Sequence, residues 1–372
     1  MAKPKVLLLG KIDHATQTWE NLSDIADLIQ PQSTNRADFI AECKSGRLDG
    51  VAACYRTFAS ASITGPWDEE LIAALPRSWT VCAHNGAGYD QIDVAACSAR
   101  DPPLRVANVP VVPDDATADT AVFLILGALR GFNTSLFAAR EGKWRGQPPP
   151  PLGHDPQGKT LGILGMGGIG RNMMRKCEAF GMKAIYHNRK KLSEELAGGA
   201  EYVGFEELLA RSDVLSLNLP LNVSFPPFLG PSSDQDRCPP LVLSKFPPKK
   251  KVLTYPPPPQ KNTRHIISTP EFTKMKRGII IINTARGAVM DESALVSALE
   301  SGQVASAGLD VYEEEPKIHE GLLRNPHVML LPHMGTWSKE TQEDMEKWCI
   351  GNIRAGLETG KLKSPVPEQA DL

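Results

Sequence analysis

Three segments of the 372-residue chain each end an apolar run on a polar group suited to acid–base or anion chemistry. "IINTARGAVMDE" supplies Arg286, "AGLDVYEEEP" supplies Asp310 and Glu315, and "LLPHMGTW" supplies His333. An α/β sheet builds its site at the carboxyl ends of its strands. There the set fits hydride transfer to a 2-keto acid. A guanidinium fork grips a carboxylate with two parallel N–H bonds. A histidine donates the proton to the carbonyl oxygen, and a nearby carboxylate favours its charged form. Singly, each residue has a plainer reading: a surface ion pair for Arg286, a solvated acidic run for Glu315, a core histidine for His333. Their recurrence at three successive strand ends favours a site.

A second motif says what would carry the hydride. "TLGILGMGGIGRNMMRKCEAFGMKAIYHNRKK" places Gly165, Gly167 and Gly170 in GxGxxG spacing between a strand and a helix. The first glycine permits the turn, the second lets a pyrophosphate approach the backbone, and the third lets helix and strand pack closely. N–H groups at the helix start then face the phosphates. About 20 residues on, an NAD site would show Asp or Glu to accept from the ribose 2′-hydroxyl. Here the second strand ends in Asn188, Arg189 and Lys190. A 2′-phosphate suits that cationic end, so NADP is the preferred cofactor and NAD the possible one. A solvated basic turn is the plainer alternative.

These residues need strands to hold them. β-Branched runs alternate with helical patterns throughout: "KVLLLG", "GVAACY", "TVCAHNG" and "RVANVP", then "LGILG", "KAIYHN", "VLSLNLP", "GIIIINTA", "SAGLDVY" and "VMLLPHM". Continuous apolar strands flanked by amphipathic helices predict an α/β protein of two doubly wound parallel-sheet domains, Rossmann-like and flavodoxin-like. The length also suits two domains. "DDATADTAVFLILGALRGFN" reads as a buried helix linking them, with Asp and Thr as capping candidates. The last helix, "KETQEDMEKWCIGNIRAGLETGK", follows the second series. Its return to the first unit would make a discontinuous substrate domain of residues 1–113 and 338–372 around a dinucleotide domain of 114–337.

A net charge of −2 and a pI near 6.5 provide no basic field for nucleic acid or an acidic membrane surface, which leaves a small molecule as the expected partner. No apolar stretch reaches the roughly 18 residues of a membrane span. Seven scattered cysteines, mostly inside apolar segments, read as reduced thiols, and a cytoplasmic location is expected.

With these motifs assembled, the chain resembles the D-isomer-specific 2-hydroxyacid dehydrogenases, and among them the fungal glyoxylate/hydroxypyruvate reductase branch. The resemblance rests on "HNGAGYDQID", "NVPVVPDDATADTA", "GILGMGGIG", "NLPLN", "KMKRGIIIINTARGAVMDE", "AGLDVYEEEP" and "PHMGT", in that order. It implies that Arg286 binds the substrate carboxylate and carbonyl, that His333 is the acid/base and that Glu315 is its partner. It further implies substrate-carboxylate binding by the backbone of Ala87 and Gly88. For the cofactor it implies Gly168 and Ile169 at the pyrophosphate, Leu219 and Pro220 at the adenine, and Thr284, Asp310 and His333 near the nicotinamide. A cleft between domains and a homodimer built through the coenzyme domain are implied as well. The expected activity is NAD(P)H-dependent reduction of glyoxylate to glycolate or hydroxypyruvate to D-glycerate. The alternatives are an aromatic 2-hydroxy acid dehydrogenase and a nucleotide-sensing regulator, because transcriptional corepressors resemble the same fold. Arg56, in "CYRTFASASITG", reads either as a cleft residue or as a surface arginine.

Residues 223–260 depart from all of this. They hold 11 of the 31 prolines, carry "PPKKK", and interrupt what would otherwise be a normal strand, turn and helix. Their edges can be read as codons: Val223-Ser224 as a splice donor, Leu253-Thr254 as a branch point, the four following prolines as a pyrimidine tract and Gln260 as an acceptor. The hypothesis is a translated intron, with a PPII-prone linker or docking segment as the alternative. Sequencing cDNA across the region is expected to reveal transcripts joining Asn222 to Lys261. Transcripts that always retain the segment would sink the idea.

Overall fold

The computed structural model describes residues 3–222 and 262–372, so the proline-rich segment 223–260 and the intron hypothesis lie outside the described residues. Two all-parallel sheets organise the chain. The first contains β1 (Lys5–Leu9), β2 (Asp27–Ile29), β3 (Val51–Thr57), β4 (Val81–Asn85) and β5 (Arg105–Ala107), in the order β2-β1-β3-β4-β5. The second contains β6 (Thr160–Leu164), β7 (Lys183–His187), β8 (Glu201–Tyr202), β9 (Val214–Leu217), β10 (Ile279–Asn283), β11 (Val304–Leu309) and β12 (Val328–Leu330). Its order is β12-β11-β10-β9-β6-β7-β8. Strand order reverses between β6 and β9, which is where an open α/β sheet leaves a crevice at its carboxyl edge.

Side-chain alternation explains why both sheets are covered. Leu7 and Leu9 enter one core while Val6 and Leu8 enter the opposite one. In β10, Ile279 and Ile281 face one side, and Ile280 and Ile282 the other. All five β10 residues are buried. The two short strands β2 and β8 are not evident in sequence, because both are half-exposed and lack the apolar run that marks the other edge strands, β5 and β12.

The Asp114–Arg130 helix lays Ala118, Ala121, Leu124 and Ile125 on the second sheet. Its N-terminus has no side-chain cap, and Asp114 and Asp115 sit in its first turn instead. At Gly131, in the left-handed region (φ 62°), the chain bends into a separate helix, Phe132–Arg140. The Lys339–Thr359 helix returns to the first sheet, where Met345, Cys349, Ile350 and Ile353 pack with Val6, Tyr55 and Val81. Its buried Glu346 accepts the N–H groups of Asp13, His14 and Ala15, tying the loop after β1 to the helix. No single described helix is long and apolar enough to cross a membrane.

The residues flanking the proline-rich segment are close together. Asn222 N–H donates to Thr263 Oγ1 at 2.7 Å, and Thr263 N–H donates to the Asn222 carbonyl at 3.1 Å. Closing a gap whose ends already touch demands little chain entropy. A chain lacking residues 223–260 is therefore expected to unfold cooperatively, at a midpoint no lower than that of the full chain. A fall of more than about 5 °C would show instead that the segment contributes to stability.

Candidate active site

The glycine turn has the geometry a dinucleotide needs. Gly165 has φ 94°, and a Cβ there would lie 2.8 Å from the backbone of Asn218, so no other residue fits. A Cβ on Gly167 would meet nothing within 4 Å, leaving open space over the turn. Gly170 packs so closely that its Cβ would sit 3.1 Å from both the Gly165 carbonyl and Ile163. The Gly168–Glu178 helix starts here. Gly168, Ile169 and Gly170 precede its first backbone bond, from Arg171 N–H to the Gly167 carbonyl.

The end of β7 divides into two roles. The Asn188 side chain accepts the Met166 N–H at 2.6 Å and so braces the glycine turn. Arg189 and Lys190 are exposed and form no ion pair with other described residues. Leu219 is packed into the core and Pro220 is exposed, with its carbonyl accepting the Thr263 hydroxyl. The Thr284 hydroxyl and the Asn218 side-chain oxygen are both buried without partners among the described residues. Orphaned polar atoms beside an open cradle fit a polar dinucleotide.

The sequence offered no sign of Asp114 as a site residue. Its carboxylate lies so near the turn that a Cβ on Gly168 would overlap it. Burial pushes the carboxyl up to about 6; Arg171 opposes the shift and Asp115 adds to it.

Across the sheet edge, tight turns aim the reactive groups. Buried Asn283 donates to the Arg286 carbonyl at 2.9 Å and accepts from Ala285 N–H at 3.1 Å. The guanidinium of Arg286 then extends toward the first sheet. Its Nε donates to Asp90 at 2.8 Å and its Nη1 to the Ala285 carbonyl at 2.8 Å. Its Cζ lies 6.0 Å from the ring of Phe58. Nη2 has no bond to another described residue.

His333 adopts φ 56°, an uncommon conformation for a residue with a side chain. Asp310 holds it there. The Asp310 carbonyl accepts the His333 N–H at 2.8 Å, and its carboxylate accepts from Met334 at 2.6 Å and Gly335 at 2.8 Å. Burial raises the Asp310 carboxyl. The side chain expected beside the nicotinamide is thus engaged in shaping the histidine turn.

His333 Nδ1 lies 2.9 Å from Glu315 Oε2, and Glu315 Oε1 accepts the Tyr312 N–H at 3.0 Å. Burial alone would raise the Glu315 carboxyl, but the bond to His333, its charge, the Tyr312 N–H and Arg286 together bring it below the usual range. Glu315 is therefore ionised at neutral pH and bonds the Nδ1–H, leaving Nε2 to exchange a proton. The Phe58 ring is 6.1 Å from the His333 ring. Phe58, in the turn after β3, and Asp90, in the loop after β4, were not legible as site residues.

Ala87 and Gly88 follow β4 opposite Arg286, and neither N–H donates to another described residue. The surface reading of Arg56 is corrected by the structure, where the side chain is fully buried. Its methylenes and guanidinium lie on a central strand, inside the first core.

Comparison with known proteins agrees with this architecture. Residues 122–226 and 232–335 match the family model described as D-isomer specific 2-hydroxyacid dehydrogenase, NAD binding domain. The chain belongs to the D-isomer specific 2-hydroxyacid dehydrogenases. It is 50% identical over 369 residues to a 4-methyl-2-oxopentanoate reductase A of Aspergillus oryzae, covering 99% of each. It superposes with a TM-score of 0.86 on a glyoxylate reductase from Paecilomyes thermophila, 48% identical and covering 99% of this chain and 100% of that one. An NADPH-dependent glyoxylate/hydroxypyruvate reductase from Sinorhizobium meliloti, in complex with NADP and malonate, gives a TM-score of 0.77 at 28% identity, covering 99% and 98%.

The carboxyl of Asp114 generates a pH prediction. Below about pH 6 the group is mostly neutral; above it, the charged form stands beside the phosphate cradle and repels. Dinucleotide affinity is expected to weaken severalfold between pH 5.5 and 7.5, and Asp114→Asn to flatten that dependence. Parallel pH profiles of the two proteins, measured by fluorescence titration, would exclude the effect.

Proposed function

We propose that the chain reduces small 2-keto acids, glyoxylate and hydroxypyruvate, to D-2-hydroxy acids with NADPH preferred. The observation that carries this reading is the convergence of Arg286, the Glu315–His333 pair and the unbonded Ala87 and Gly88 N–H groups at one cleft. When bound, the nicotinamide cofactor supplies the hydride. Gly168, Ile169 and Gly170 would hold its pyrophosphate through their backbone, Leu219 and Pro220 would face the adenine, and Thr284 and Asp310 would lie on the nicotinamide side.

Arg286 Nη2 and the loop N–H groups hold the substrate carboxylate, which aims the keto carbon into the cleft. Glu315 fixes the His333 ring by its Nδ1–H. Nε2 then delivers the proton to the carbonyl oxygen as the alcohol forms. Phe58, lying against both Arg286 and His333, narrows the space beside the keto carbon and supports small acids over aromatic ones.

Arg189 and Lys190, exposed and in no ion pair with other described residues, support the NADP preference, as does the NADP-bound relative. A homodimer is supported by the exposed apolar side chains of the 132–152 segment, Phe132, Leu136, Phe137, Trp144 and Leu152. The six cysteines among the described residues are all buried and unbridged, which supports a reducing, cytoplasmic setting.

The test is NADPH oxidation, followed by nicotinamide absorbance, with glyoxylate, hydroxypyruvate, 4-methyl-2-oxopentanoate and an aromatic keto acid. Glyoxylate and hydroxypyruvate are expected to give the highest kcat/KM. His333→Ala should lower kcat by about 10²- to 10⁴-fold. Replacing Arg189 and Lys190 by Ala should raise KM for NADPH and leave that for NADH unchanged. The same preparation should sediment as a dimer. Binding of NADPH without turnover of any keto acid would transfer the reading to a cofactor-sensing regulator.

A further inference from the structure

Arg56 is a charged side chain with no counter-ion in bonding reach among the described residues. It is fully buried on β3, and its contacts are neutral: Nη1 lies 3.0 Å from His84 Nδ1, and Nη2 donates to Gln91 Oε1 at 2.6 Å. Its Cζ stands 5.8 Å from the Trp67 ring, and its Nε has no partner among the described residues. A buried, uncompensated guanidinium is costly to a fold. Here it determines the state of its neighbour.

Arginine can only donate, so His84 Nδ1 must accept and the ring proton must sit on Nε2. Burial and the Arg56 charge also keep the imidazole neutral by pushing it well below its usual range. Nε2–H then donates to the Gly88 carbonyl at 2.9 Å. Two more bonds continue the pattern. Asn108 Nδ2 holds the Ala87 carbonyl at 2.7 Å, and Val109 N–H holds the Gly86 carbonyl at 2.9 Å.

In a planar trans peptide the N–H points opposite to the carbonyl. Pinning three successive carbonyls therefore turns the N–H groups of Ala87, Gly88 and Tyr89 the other way, and none of them donates to a described residue. Successive free N–H groups make an anion-binding concavity. The loop and Arg286 share that space, since a Cβ on Gly88 would come within 1.9 Å of Arg286 Nη2.

We infer that Arg56 and His84 are positioning residues: the Arg56 guanidinium selects the His84 tautomer that holds the Gly88 carbonyl, and together they aim the 87–89 N–H groups at the substrate carboxylate. The inference rests on the reading of this cleft as a 2-keto-acid site. It adds Tyr89 N–H as a third donor and gives the buried Arg56 cation a purpose, as positive charge behind the carboxylate.

The test uses the full chain and two readouts: steady-state kinetics with glyoxylate, and calorimetric binding of oxamate to the NADH- or NADPH-loaded protein. His84→Ala is expected to raise KM and the oxamate dissociation constant roughly tenfold, with kcat and cofactor affinity within about threefold. His84→Gln, whose amide can bond both Gly88 and Arg56, should recover most of the loss. Arg56→Met removes the buried charge without opening a cavity. It is expected to weaken oxamate similarly while leaving thermal stability unchanged or higher. Unchanged oxamate affinity in either folded variant would overturn the inference, as would failure of both to fold. If the wild type reduces no keto acid, the proposed activity fails, and oxamate binding still decides the role of the couple. A wild type that binds no oxamate overturns both.

Discussion

A parallel strand covered on both faces has no side on which to display a polar group, so chemistry in such a sheet is confined to strand ends. Every residue of β10 is buried, and the next three are Thr284, Ala285 and Arg286. The same holds at β4, where the buried strand passes directly into the 86–89 loop. Because two sheets bring their carboxyl edges to one cleft, contacts across it involve side chains from both. The Arg286–Asp90 ion pair and the Phe58–His333 contact are of this kind.

Edges alone do not aim a side chain, and buried polar residues in the turns complete the task. Asn283 and Asp310 spend their side chains on backbone groups two to twenty-five residues away rather than on solvent or substrate. The left-handed backbone at His333 costs on the order of 1–2 kcal/mol, and persists because Asp310 bonds three successive N–H groups around it. The proposed proton donor is thus held by an acid whose carboxylate is occupied by two backbone N–H groups. Glu315 adds the orientation of the ring about that fixed backbone.

The arginine at the cleft and the one buried behind it are treated oppositely. Arg286 is partly exposed and partly neutralised by Asp90. Arg56 is deeper, with only neutral partners in bonding reach. Arg286 leaves Nη2 unbonded to any other described residue, and Arg56 adds the field of a second positive charge from behind it. Desolvation strengthens that field, since buried charges interact through a lower effective dielectric than exposed ones.

Much of the fold was legible because periodicity and composition are local properties. Ten strands announced themselves as apolar runs, and only the edge strands β2 and β8, half-exposed and short, did not. The glycine turn was legible for the same reason, since its requirements are met within six residues. Arg286, Glu315 and His333 could be named because each closes a recognisable strand. Asp90, Phe58, Asp114, Asn283 and the Arg56–His84 couple could not be assigned roles, and Arg56 was open to a surface reading. Their significance lies in neighbours up to 196 positions away, as with Arg286 and Asp90. Sequence alone determined the elements and the inventory of reactive groups, because backbone preference and hydrophobic period act over a few residues. Tertiary structure decided which of those groups face one another and in which protonation state, because distance, burial and hydrogen-bond partners exist only once the chain has closed on itself.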